Sequence, residues 1–208
     1  MIVSVNYNMG NLYSVKKKLD RLQIESIVSS DPDDIMNAEK LILPGVGHFG
    51  KAMNNLQELG LIEALNHAVL NKKIPILGIC LGMQLMAKVS FESENKSACE
   101  GLGWLDAEVV KFQVNDTLRF KIPHTGWNTI RIHKESPLMN NIENESEFYF
   151  VHSYQFKAND PSIVLNTTDY CGNFVSAVSK DLIFGVQYHP EKSHDAGIQL
   201  LANFVGLG

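Results

Sequence analysis

Short apolar runs alternate with amphipathic stretches along the first 90 residues of the chain. MIVSVNY at the start is a β-rich run. In the NMGNLYSVKKKLDRL that follows, Asn11 can cap a helix that carries Leu12, Val15 and Leu19 along one face. IESIVSS and EKLILPG read as further strands, each closed by turn residues. Between Phe49 and Leu70 the pattern predicts two helical stretches broken near Gly60. KIPILGIC predicts another strand, and LGMQLMAKV a helix directly after it. Strands alternating with helices imply a mostly parallel sheet covered on both faces.

The second half changes character. WLDAEVVKF, HTGWNTIRI, SEFYFVHSYQF, SIVLNTT, NFVSAVS and LIFGVQYHP are β-like runs separated by short turns. FESENKSACEGLG is polar and glycine-containing and reads as a loop, and a final helical pattern runs from Ser193 to Val205. The expected architecture is one α/β domain with a β-rich second half.

Composition changes this picture mainly by exclusion. A chain of 208 residues suits one domain with a substantial core. A formal net charge of −5 gives no basic footprint, which argues against a nucleic-acid partner. Three cysteines, Cys80, Cys99 and Cys171, form no CxxC pair and point to a reducing compartment rather than a disulfide framework. No signal peptide is visible, and no stretch reaches the roughly 18 apolar residues a membrane span requires. The expected location is the cytoplasm, with no membrane partner.

The chemistry concentrates at the strand-to-helix junction PILGICLGMQLMA. Gly78-Ile79-Cys80-Leu81-Gly82 has the G-x-C-x-G form of a nucleophile elbow. Its turn strains the nucleophile's backbone, and the glycines let chain and substrate approach. The positive end of the following helix's dipole favours a thiolate. A packed cysteine with incidental glycines is the plainer alternative for the pentapeptide alone. A thiol nucleophile needs a base, and FGVQYHPEKS offers one. His189 and Glu191, two residues apart, project to the same side of an extended segment, so Glu191 can fix the imidazole's tautomer. His194 beyond them could suggest a metal site, but no further ligand cluster supports one, so no metal is expected. The remaining histidines read as surface or hydrogen-bonding residues. Finally, LILPGVGHFG ends a buried strand in Pro44-Gly45-Val46-Gly47, a turn whose N–H groups can meet a developing oxyanion. Alone, P-G-x-G is only a turn; beside the elbow and the His-x-Glu it gains weight.

These motifs, in this order, resemble the class I (triad) glutamine amidotransferases. NMGNLYSV, LPGVGHFGKAM, GICLGMQLM, GLGWLDAEV, IPHTGWNTI, FYFVHSY and GVQYHPEKS are together similar to the glutaminase subunits of imidazole glycerol phosphate synthases, from residue 1 to about residue 205. The resemblance implies a flavodoxin-like class I amidotransferase fold over 1–208, with a central, mostly parallel sheet. It implies a Cys80, His189 and Glu191 triad that forms a glutamyl thioester and releases ammonia, with no cofactor. It further implies an oxyanion hole from the backbone of Val46 and Gly47. Substrate contacts would come from Gly45, Gln84 and the main chain of His152, Ser153 and Tyr154. The expected partner is a (β/α)8-barrel synthase subunit that receives the ammonia and makes imidazole glycerol phosphate and an aminoimidazole carboxamide ribotide in histidine biosynthesis. Asn11 and Trp127 would lie on the docking face, although Trp127 is equally readable as a half-buried strand aromatic. The chain departs from the family pattern at Asn6-Tyr7-Asn8 and at His48. A paralogous glutaminase that feeds a barrel-like partner making amidine sugars is the alternative.

Overall fold

The computed structural model describes residues 1–92, 97–114, 116 and 118–207. Its first half is built as the alternation predicts. Strand β1 (Ile2–Val5) leads to helix α1 (Leu12–Arg21), whose first turn is closed by the Asn11 side chain accepting from the Ser14 N–H. Strand β2 (Ser26–Ser29), helix α2 (Pro32–Met36), strand β3 (Lys40–Gly45) and helices α3 (Phe49–Glu58) and α4 (Leu61–Asn66) follow, with a π-helical turn at His67–Asn71. Strand β4 (Ile76–Cys80) then runs into helix α5 (Leu81–Leu85) without an intervening residue.

Two expectations need correction here. The helix expected over LGMQLMAKV stops at Leu85, because Ala87–Ser90 forms strand β5. Sheet hydrogen bonds to β7 (Leu105–Lys111) override a local pattern that would have continued the helix. The loop expected over FESENKSACEGLG contains a two-residue strand, β6 (Cys99–Glu100), paired with β5; residues 93–96 lie outside the described ones.

The second half supplies β8 (His124–Thr129), β9 (Arg131–Ile132), β10 (Glu147–His152), β11 (Tyr154–Ala158), β12 (Val164–Asp169), β13 (Asn173–Lys180) and β14 (Ile183–Val186), then helix α6 (His194–Val205). SEFYFVHSYQF, read as one β run, is split at Ser153. Strand β10 pairs with β8 in a separate two-stranded ribbon, while β11 joins the main sheet.

The main sheet runs β2-β1-β3-β4-β14-β13-β11-β7-β5-β6. From β2 to β14 all neighbours are parallel; beyond β14 the pairing turns antiparallel apart from β5 with β7. Period-two alternation divides the parallel strands between two cores. Leu41 and Leu43 pack with Phe49, Leu56 and Leu65 of α3 and α4 on one face. Ile42, Leu77 and Ile79 pack with Leu19, Leu200 and Phe204 of α1 and α6 on the other. Burying both faces explains why these strands read as unbroken apolar runs.

This order positions the site. Strand β14 arrives from the far end of the sequence and lies parallel to β4, with Val186 opposite Ile79; β3 lies on the other side, with Gly45 opposite Cys80. Three parallel strands therefore bring the Pro44–Gly47 turn, Cys80 and the segment from Gln187 to Glu191 to one carboxyl edge, where open α/β sheets bind their ligands.

Candidate active site

Cys80 ends β4 in the left-handed region, with φ 53° and ψ −108°. A non-glycine residue held there costs on the order of 1–3 kcal/mol and persists because the surroundings over-determine it. The flanking glycines show how. A Cβ on Gly82 would run into the Leu43 carbonyl oxygen, and one on Gly78 would come within 2.7 Å of the Met83 nitrogen. Strand β3 and helix α5 close on the elbow so tightly that only hydrogen fits at either position.

His189 stands beyond the end of β14, its N–H donating to the Tyr149 carbonyl of β10 at 2.9 Å. Its Nδ1 is 2.7 Å from Oε1 of Glu191, and both side chains are almost fully buried. The extended segment expected between them is not found: Pro190–Lys192 forms a 3₁₀ turn, and the pair meets because that turn folds Glu191 back onto the ring. Burial pulls the His189 imidazole down, but Cys80 and Glu191 on its two sides more than offset this and push it up to about 10. Among the described residues Nε2 has no hydrogen-bond partner, and the upward shift of the ring gives the Cys80 proton a favourable place to go.

Cys80 opens into a cavity of about 390 Å³ lined by Val46, Gly47, Gln84, Glu92, Pro123 and the Val151–Tyr154 segment, among others. A larger groove of about 840 Å³ along Ile132–Asn144 contains no cysteine and lies far along the chain from the elbow, so volume alone is a poor guide to the chemistry here. The expected residues Val46, Gly47, Gln84, His152, Ser153 and Tyr154 all line the Cys80 cavity. Gly45 lies just behind it, packed against Tyr7 and Leu81.

Gln84, one turn after Cys80, is pinned by its own amide. Nε2 donates to the Tyr154 carbonyl at 3.1 Å and to Oε1 of Gln187 at 2.9 Å, which leaves its carbonyl oxygen to accept from a ligand. The Tyr154 carbonyl also accepts from Nδ1–H of His152 at 2.8 Å. With that tautomer fixed, His152 Nε2 accepts from Nδ1–H of His124 at 3.1 Å. Burial pushes His124 down to about 4, and burial with the nearby His124 and His189 pushes His152 down to about 3 despite the Tyr154 carbonyl. Both rings are neutral at pH 7 and act as oriented hydrogen-bonding groups.

Two groups at the site escape sequence reasoning. Glu92 accepts from the Phe49 N–H at 2.7 Å, and burial raises its carboxyl above the usual range against the pull of that N–H and of His48. Gln187 is wholly buried behind Cys80. Glu92 stands in no motif, and Gln187, although inside GVQYHPEKS, reaches the site through contacts with Gln84 and Cys80 that are distant in sequence. Asn11 and Trp127 lie away from the cavity. Gly10, beside Asn11, packs against the Pro44–Gly45 backbone, so α1 begins at the carboxyl edge. Trp127 is 43% exposed and stacks on His194, with ring centroids 4.6 Å apart and planes within 5°.

Strand order and a strained cysteine facing a histidine–carboxylate pair define a class I amidotransferase type of protein, and residues 3–206 match the class-I glutamine amidotransferase family. A solved glutamine amidotransferase has the same fold, with a TM-score of 0.73 at 18% identity over 99% of this chain and 100% of that one. Subunit HisH 1 of imidazole glycerol phosphate synthase from Campylobacter jejuni is 48% identical over the full length of both chains. Subunit HisH 2 from Methanococcus maripaludis is 47% identical over 99% of this chain and 98% of its own. The chain belongs to the HisH family of class-I glutamine amidotransferases.

No helix among the described residues is long and apolar enough to cross a membrane.

Proposed function

We propose that the chain hydrolyses glutamine to glutamate and ammonia and hands the ammonia to a (β/α)8-barrel subunit of imidazole glycerol phosphate synthase. The observation that carries this reading is the strained Cys80 lining a cavity of about 390 Å³, with a buried His189–Glu191 pair beside it. Cys80 gives its proton to Nε2 of His189, and the sulfur attacks the side-chain carbonyl carbon of glutamine. The N–H groups of Val46 and Gly47 receive the oxyanion. His189 returns the proton to the leaving nitrogen, ammonia departs, and a glutamyl thioester remains on Cys80. Water then attacks the thioester with His189 as base, releasing glutamate and restoring the thiol. Glu191 keeps the ring in the tautomer that leaves Nε2 facing the sulfur, and it stabilises the imidazolium.

The carboxylate of Glu92 and the carbonyl of Gln84 suit the ammonium of an amino acid, and the His152–Tyr154 main chain supplies further polar contacts. Asn11 and Trp127 form part of the docking face at the carboxyl edge. The HisH relatives, matched end to end, favour the histidine-pathway partner over one that makes amidine sugars. A glutamine-like electrophile tests the reading. It should label Cys80 in preference to Cys99 and Cys171, whose thiols are pushed up by burial and by neighbouring acids. Even modification of all three cysteines would count against it.

A further inference from the structure

Gln187 sits one residue past β14, with no exposed surface, and its N–H continues the ladder by donating to the Ser176 carbonyl at 2.8 Å. Its neighbours Val186 and Tyr188 both enter the α1/α6 core, so alternation sends the Gln187 side chain to the other face of the sheet, toward α5. A buried amide is costly unless its hydrogen bonds are made. This one makes two: Oε1 accepts from Gln84 Nε2 at 2.9 Å, and Nε2 donates to Sγ of Cys80 at 3.6 Å.

The amide's direction is decided by the network. The Tyr154 carbonyl can only accept, so it fixes Gln84 with its nitrogen toward Gln187. Turning Gln187 over would set two amide nitrogens against each other and face its oxygen to the sulfur. The other polar contact of the Cys80 sulfur is the Val151 carbonyl at 3.9 Å, which accepts from a thiol and repels a thiolate. His189 takes the proton and, as the imidazolium, presents it back to the sulfur through Nε2. The Gln187 amide is the neighbour whose N–H faces the sulfur both before and after that transfer, and hydrogen bonds to a charged form favour it.

We propose that Gln187 is a further catalytic residue, donating its Nε2–H to the Cys80 sulfur as the thiolate forms and holding it at the cavity mouth, with Gln84 locking the amide's orientation. The proposal rests on Cys80 being the glutaminase nucleophile. Gln187 does not line the cavity, so it acts on the reacting atom and not on glutamine itself.

Gln187→Met replaces the amide with a chain of similar length and no donor. Alkylation of the full-length protein by iodoacetamide, followed peptide by peptide across the pH range, should show the Cys80 midpoint moving up by about one unit. Its rate at neutral pH should fall about tenfold, while Cys99 and Cys171 in the same samples keep their profiles. With the barrel partner present, kcat for glutamine should fall about as far, and KM should move less. In the wild-type chain, the Gln187 side-chain amide signal should shift with pH in step with Cys80 alkylation, and that shift should vanish in Cys80→Ala. A folded Gln187→Met with the wild-type profile overturns the proposal. So does a wild-type amide signal that ignores the Cys80 titration, a result independent of how the variant folds. If Cys80→Ala still hydrolyses glutamine, the nucleophile assignment falls and the proposal with it. If Cys80 is essential but the Gln187→Met profile does not move, only the role of Gln187 falls.

Discussion

Replacing Glu191 by glutamine removes one charge from a buried pair and nothing else in outline. Nδ1 of His189 lies 2.7 Å from Oε1 of Glu191, and Oε2 has no hydrogen-bond partner among the described residues. The amide oxygen of Gln can take the Oε1 place and preserve the tautomer, but its NH2 then lies buried where no acceptor waits. A hydrogen bond to a charged group is worth about 1.5–3 kcal/mol and a neutral one about 1, so the imidazolium loses roughly 1–2 kcal/mol of support. If that loss is felt fully in the transition state, kcat/KM for glutamine drops about 5–30-fold. The orphaned NH2 costs about 1–3 kcal/mol of stability, which for a chain of this size lowers Tm by about 2–12 °C. Glu191→Ala, which frees the ring to turn, should cost at least tenfold more in rate than Gln. The assay is glutamate release by the complex with its barrel partner, beside the ammonium-dependent reaction of the same complex, which should not change. Wild-type glutamine turnover in Glu191→Gln, or equal rates for the Gln and Ala variants, would refute the orienting role.

Three further outcomes follow from the same geometry. Gly82→Ala drives a methyl into the Leu43 carbonyl and must move β3 or α5; a Tm fall equivalent to about 1–3 kcal/mol or more and a glutaminase loss above about tenfold are expected, measured by thermal melts and turnover. His124 and His152 are held below their usual value, to about 4 and about 3, so the unfolded chain binds protons that the native state refuses. Stability should therefore be intact above about pH 6.5 and fall as pH drops from there toward 3, and His124→Phe should flatten that acid limb in denaturant titrations. Trp127→Ala removes an exposed aromatic stacked on His194; if it belongs to the docking face, the change should weaken barrel binding by about 30-fold or more in a titration while leaving Cys80 labelling in the free subunit unchanged.

How far the sequence carries the account depends on the range of the contacts involved. Strands β1, β3 and β4 are legible because burial on both faces demands continuous apolar runs, and α1 because Asn11, Val15 and Leu19 mark a cap and a face. Helix α2 is not legible, because five residues with one buried side chain, Ile35, show no period. The end of α5 is equally invisible locally, since Ala87–Ser90 is a strand only because β7 and β6 lie beside it. Cys80, His189 and Glu191 stand out because glycines and a proline constrain the chain around them, yet the His-x-Glu geometry comes from a 3₁₀ turn and not from extension. Glu92 carries no local mark, and nothing in GVQYHPEKS tells which way Gln187 points. Their importance arises from α3 starting beside Glu92 and from β14 inserting next to β4.

The central claim is that Cys80 attacks glutamine and that the ammonia so released serves a separate acceptor. Cys80→Ala removes the attacking sulfur from a residue whose backbone is held by Gly78, Gly82 and the β3–β4 pairing, so the fold and the docking should persist. With the barrel partner, glutamine-dependent product should fall by several orders of magnitude. Added ammonium salt should restore product formation, increasingly so as pH rises and more of it is neutral ammonia. Product made from glutamine at a rate near wild type by Cys80→Ala, or an assembled complex that ammonia cannot rescue, would contradict the account.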